Sequence, residues 1–232
     1  MEGANLFITP DAREKLFEEA GVVICKDSSA NKCGVITSSY EICAAMLLDE
    51  NEFLEHKDQI VKEVLDKLRE LARLEAELLF REVDIYGQSL PMISQIVSNS
   101  INNVTDALTE ALNTLPDEER AGLLVLFRAH LPETLANLSF DRVHDRVPVQ
   151  YVKNAIASSL ASKLVYKEGT KFIDALPKKK LAEMALNYIQ KEKEVAILME
   201  SLDHSNVGEE EKAKILKLLD AGGARTALSL RP

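Results

Sequence analysis

The chain has 232 residues, 46% of them apolar, with 28 Lys and Arg against 38 Asp and Glu for a net charge of −10. That size and apolar content can bury a core in one large domain or two small ones, while the acidic surface repels phosphate and so argues against free nucleic acid or an anionic membrane as partner. Three cysteines lacking a CxxC spacing read as reduced cytosolic thiols, the four scattered His offer no metal set, and the apolar run at 121–127 falls well short of the ~20 residues a membrane span needs.

Two textures divide the chain. Residues 1–48 mix β-branched residues with glycines and small polar residues; residues 49–232 read as one helix after another. In the first region Thr9-Pro10-Asp11 is a helix start. A hydroxyl caps a free N–H, a proline needs no N–H, and an acid faces the positive end of the dipole. The helix should stop at Gly21. Val22-Val23-Ile24-Cys25 has the pattern of a short buried strand. Residues 26–34 read as a polar turn, and a helix should open at Val35 and run to Leu48. Turn, helix, strand, turn, helix is the back half of a βαβ unit, and the crossover rule calls for a strand ahead of Met1.

The second region opens with a long amphipathic helix over 53–83, about 45 Å at 1.5 Å per residue, carrying Phe53, Ile60, Val64, Leu68 and their neighbours at spacings of three and four. Tyr86-Gly87 breaks it. A helix after Pro91 is rich in Ser and Asn, and Asn99, Asn102 and Asn103 read as a solvated face. Another helix should start at Pro116 with acids in its first turn and end at Pro132. Pro148 and Gly169 bracket a helix whose Ala155, Ala157, Ser158, Ser159, Ala161 and Ser162 permit close approach. Lys178-Lys179-Lys180 is the solvated start of a helix over 178–202. A final helix over 208–223 precedes an unpatterned tail.

Blind to any relative, the candidate chemistry lies in the early turns, Glu2-Gly3-Ala4-Asn5 and Ser28 to Gly34, with Ser38 and Ser39. Asparagine amides there match a neutral carboxamide. Serines at a helix start, with free N–H groups, match a carboxylate. The competing reading is that these are ordinary turn and cap residues.

The stretches EGANLFITPDAR and KDSSANKCGVITSSYE resemble the end of the nucleotide domain of glutamate dehydrogenases, most closely the large NAD-specific class. VPVQYVKNAIASSLASKLVYKEGTKF is similar to a helical segment near the C-terminus of the same large enzymes. The resemblance implies a mainly α protein. Residues 1–48 would be a small truncated α/β remnant of a Rossmann-like dinucleotide-binding domain, and 49–232 a multi-helix C-terminal bundle. It implies NAD as cofactor, with Asn5 and Asn31 near the nicotinamide and its ribose, and Ser38 at the side-chain carboxylate of glutamate. Lys32 and Cys33 stand where shorter enzymes carry an Ala-Gly pair, and Ser39 stands where they carry an aromatic residue.

The sequence contains no GxGxxG, and no catalytic lysine or aspartate of the family can be placed in it. The expectation is therefore a C-terminal fragment of a cytoplasmic, homo-oligomeric dehydrogenase that interconverts L-glutamate and 2-oxoglutarate. Its partner would be the rest of the parent polypeptide, with no catalytic residue and no metal ligand in this chain, and the chain would be inactive alone. The alternative is a helical assembly or regulatory module with no catalysis of its own.

Overall fold

The computed structural model describes residues 1–114, 120–177 and 180–229, and every regular element among them is helical. The chain is mainly α. Helix α1 (Pro10–Ala20) begins as its sequence dictates: Thr9 Oγ1 accepts from Ala12 N at 3.3 Å, and Gly21 closes it at φ 63°. The strand expected at 22–25 does not form. These residues form no regular element, no second strand among the described residues lies beside them, and Cys25 O accepts from Glu2 N at 3.0 Å. A ladder needs a neighbour, and a β-branched run without one stays a connector.

The polar turn expected at 26–34 is helical as well. It folds into the single turn α2 (Asp27–Ala30) and the first residues of α3 (Lys32–Leu47), which therefore starts three residues before the expected Val35. Helix α4 (Glu50–Tyr86) is longer than its apolar stripe, about 55 Å. A reciprocal capping box extends it upstream: Asp49 Oδ1 accepts from Glu52 N and Glu52 Oε2 from Asp49 N, both at 2.9 Å. Ile60, Val64, Leu68, Leu78 and Leu79 are buried along it, whereas Val61 and Leu65 stay partly exposed.

Helices α5 (Leu90–Asn113) and α9 (Val149–Glu168) form the heart of the bundle. Ala157 and Ala161 are wholly buried, and small side chains there suit the close packing of α9 on α5, whose Ile93, Val97, Val104 and Leu108 are buried too. Each fully buried Leu or Ile in this layer contributes about 2 kcal/mol. Helix α6 (Arg120–His130) packs on α9; its expected start at Pro116 lies outside the described residues. Short pieces follow: α7 (Glu133–Ser139), a 3-10 turn and α8 (Val143–Arg146).

Gly169 ends α9 at φ 82°, and a Cβ there would stand 2.6 Å from Glu82 Oε1. Helix α10 (Thr170–Asp174) follows at once. Helices α11 (Leu181–Asp203) and α12 (Glu209–Ser229) pack together on the bundle. Lys178 and Lys179 of the basic run lie outside the described residues. Helix α12 continues through the stretch expected to be a tail. Gly222 and Gly223 lie within it, and Val195 of α11 sits 2.9 Å from where a Cβ on Gly223 would be, so a glycine there permits close helix contact.

Candidate functional site

Two loops, residues 1–9 and 26–31, meet over a buried ion cluster. Glu2, Arg13 and Asp27 are 6%, 8% and 7% exposed. Arg13 donates from Nε to Glu2 Oε2 at 2.8 Å and from Nη2 to Glu2 Oε1 at 3.1 Å, and its Nη2 lies 3.5 Å from Asp27 Oδ1. Each carboxylate also accepts from the backbone. Glu2 Oε1 takes Ile8 N–H at 3.1 Å; Asp27 takes Leu6 N–H at 2.6 Å and Ser28 N–H at 2.7 Å. The Arg13 guanidinium holds the Glu2 carboxyl below the usual carboxylate range, and the Leu6 and Ser28 amides do the same for Asp27. Both are anions at neutral pH. No motif in the sequence marks this cluster, since its members are eleven and fourteen residues apart on three different segments.

The cluster sets where the predicted residues lie. Asn5 and Asn31, twenty-six apart in sequence, come together: Asn31 Nδ2 donates to Asn5 Oδ1 at 3.5 Å, and both residues are exposed. Asn31 occupies the N-cap position of α3 but makes no capping bond with its side chain. The amide instead folds over Gly34, where a Cβ would stand 3.3 Å from Asn31 Oδ1. Lys32 and Cys33 are turned into the bundle. Lys32 Nζ pairs with Glu75 Oε2 at 2.7 Å and stands over the Tyr166 ring, and Cys33 Sγ approaches Leu68 O at 3.8 Å. The bulk at these two positions is thus absorbed by α4 and α9.

Ser38 stands apart from the asparagines. It is exposed on the same helix, its Oγ bonded to Gly34 O at 3.3 Å, seven residues and about 10 Å beyond Asn31. Because α3 starts at Lys32, Ser38 lies beyond the four free N–H groups of the helix start, so those groups do not supplement its hydroxyl. Ser39 turns its hydroxyl to Ile36 O. Val35 and Ile42 are exposed, as are Leu6 (85%) and Phe7 (81%) in the first loop, so apolar surface surrounds the polar pair.

A second feature escaped sequence reasoning. A cleft of about 540 Å³ opens between α3, α5 and α9, lined by Ser98, Asn102, Ser158, Ser162, Tyr151 and His130. His130 stacks on Tyr40 at 5.3 Å, and its Nε2 is buried without a partner. Burial pushes this imidazole down to about 4. Burial also raises the Cys25 and Cys43 thiols, so neither is an activated nucleophile. No three His, Cys, Asp or Glu among the described residues converge as metal ligands, and none of the described helices is long and apolar enough to cross a membrane.

The profile of the Glutamate/Leucine/Phenylalanine/Valine dehydrogenase family matches residues 1–88, the stretch that holds both loops, α3 and α4. The chain is 39% identical over 182 residues to glutamate dehydrogenase 2 of Dictyostelium discoideum, a match covering 73% of this chain and 17% of that protein. The chain belongs to the glutamate dehydrogenase family. It is 38% identical over 183 residues to the NAD-specific glutamate dehydrogenase of Neurospora crassa, and 32% identical over 183 residues to that of Saccharomyces cerevisiae, each match covering 73% of this chain and 17% of the relative. The matched region therefore spans about a sixth of the length of these family members. No solved structure matches the chain.

Proposed function

We propose that this chain forms one wall of the active site of an NAD-dependent glutamate dehydrogenase, together with the helical region behind that wall. In this reading L-glutamate, oxidised NAD and water give 2-oxoglutarate, ammonium, NADH and a proton. Residues 1–48 close the nucleotide-binding domain and 49–232 form the helical domain. The observation that carries it is the convergence of Asn5 and Asn31, whose exposed amides meet at 3.5 Å within the family-matched stretch.

The two amides suit the carboxamide end of NAD, since together they offer both donors and acceptors. NAD supplies the hydride acceptor when bound. The chain's own part is to orient: Asn5 and Asn31 fix the carboxamide and ribose, and the Ser38 hydroxyl donates to the side-chain carboxylate of glutamate. No cradle for the dinucleotide phosphates accompanies the pair among the described residues, and hydride transfer requires both reactants to be held in contact. The chain by itself is therefore inactive and binds NAD negligibly. The rest of the dehydrogenase packs on Leu6, Phe7, Val23 and Val35, all exposed, and the enzyme is cytoplasmic.

Calorimetric titration of this chain with NAD tests the reading: no binding at micromolar concentration is expected, and a micromolar site would overturn it. Conversely, in a complete dehydrogenase polypeptide carrying this sequence, Asn5→Ala and Asn31→Ala should each raise the KM for NAD.

A second reading gives the helical region a role in assembly. Val61 and Leu65 of α4 are exposed along a groove of about 650 Å³ between α3 and α4, a surface suited to a second copy of the chain. Sedimentation as a dimer or larger is the expected result, and a clean monomer counts against it.

A further inference from the structure

We propose that Arg13, Glu2 and Asp27 are positioning residues of the cofactor site, holding Leu6 in a left-handed backbone conformation that turns the Asn5 amide onto Asn31. The inference rests on the reading of Asn5 and Asn31 as cofactor residues. It adds a mechanism for how they are aimed.

Leu6 has φ 56°, the one positive value at a non-glycine residue among the described residues. A side chain that is branched beyond Cβ rarely adopts it, and such conformations persist only where the surroundings over-determine them. Here they do. The Leu6 N–H is taken by Asp27 Oδ2 at 2.6 Å, a charge-assisted bond, and the Ile8 N–H two residues on is taken by Glu2 Oε1. Arg13 joins the two carboxylates from α1, and Glu2 N–H to Cys25 O ties the loop to the second segment. Glu2, Arg13 and Asp27 beneath the loop are buried and paired; Asn5, Leu6 and Phe7 above it are exposed. Such support serves no packing of Leu6, which points into solvent. Its geometric result is the placement of the neighbouring amide.

The test uses a complete dehydrogenase polypeptide carrying this sequence. Asp27→Asn removes the charge that holds Leu6 and should raise the KM for NAD about tenfold, with the KM for glutamate changed less than about twofold. Adding Leu6→Gly should restore the KM for NAD to within about threefold of the original, because glycine adopts positive φ without support. A purely structural loss is not repaired by removing a side chain. Should Asp27→Asn fail to fold, Leu6→Val in the intact cluster reads the same effect, since a β-branched residue resists positive φ; the KM for NAD should again rise. In the present chain, slow hydrogen exchange at the Leu6 amide is expected, lost in Asp27→Asn. An unchanged KM for NAD in Asp27→Asn, no rescue by Leu6→Gly, or a fast-exchanging Leu6 amide overturns the inference. If Asn5→Ala and Asn31→Ala leave the KM for NAD unchanged, the cofactor reading itself fails, a result separate from those three.

Discussion

Tyr166 on α9 donates its hydroxyl to Glu75 Oε2 on α4 at 2.7 Å, and Lys32 at the head of α3 reaches the same oxygen at 2.7 Å. Three helices thus meet at one buried carboxylate directly behind the asparagine loops. Tyr166→Phe removes a hydrogen bond to a charged acceptor and should cost about 2 kcal/mol. Lys32→Met leaves the buried Glu75 carboxylate without its cation and should cost more, about 3 kcal/mol. Urea unfolding of both variants checks the order as well as the sizes.

Glu82 is 2% exposed and holds Thr170 by its backbone N–H at 3.3 Å and its hydroxyl at 2.6 Å. Thr170→Val deletes the stronger bond and should destabilise by about 2 kcal/mol. Gly169→Ala should be at least as damaging, because it combines positive φ with a Cβ 2.6 Å from Glu82 Oε1. Thermal unfolding of the two variants is the measurement.

His130 carries a pH signature. Its imidazole is held down to about 4 from an ordinary 6.5, so the folded chain keeps it neutral while the unfolded chain protonates it. Between those two values the unfolded state binds more protons, and stability falls as pH drops from about 6.5 to about 4, by about 3 kcal/mol in all. His130→Phe should flatten that slope. At pH 7.5 the variant should be no less stable than the parent, since Nε2 has no partner to lose. Denaturant midpoints at pH 4.5 and 7.5 decide it.

Arg142 grips Glu52 with two bonds of 2.7 Å and also donates to Leu47 O, tying the 3-10 turn to the start of α4. The guanidinium, helped by the Asp49 backbone amide, holds the Glu52 carboxyl down to about 2 from 4.5. A depressed acid stabilises above its unfolded value, and that stability is lost as pH falls from about 4.5 toward 2. Arg142→Gln should lower the thermal midpoint at neutral pH and remove this part of the acid sensitivity; an unchanged acid limb would contradict the pairing.

Helix punctuation was legible where the chemistry is local. Thr9, Gly21, Gly87, Pro148 and Gly169 bound helices as their residue types require. Asn5, Asn31 and Ser38 stood out through family motifs, and that the two asparagines lie together follows from their loops. What resisted was non-local. Val22 to Cys25 has β-branched character, but a strand exists only in company, and the residues of the run do not specify a neighbour. Ser28 to Gly34 looks like a turn because its residues are small and polar, yet Asp27 and the packing of Cys33 against α4 wind it into helix. The unpatterned residues after Gly223 gave no helical signal, yet the helix expected over 208–223 runs on to Ser229. Arg13 carries no signal of its own in the sequence; only the return of the chain at Asp27 makes it an interior cation.

Helix α4 carries three acids whose partners lie on different elements. Glu63 holds Thr134 of α7, Glu75 holds Lys32 and Tyr166, and Glu82 holds Thr170. A greasy stripe tolerates a slide of one turn, because Leu replaces Val with little loss. Three carboxylates keyed to three separate locks do not, since any slip unseats all of them together. The rod is therefore indexed like a notched shaft, and the distance from the loops at one part of it to α10 at the other is a fixed length.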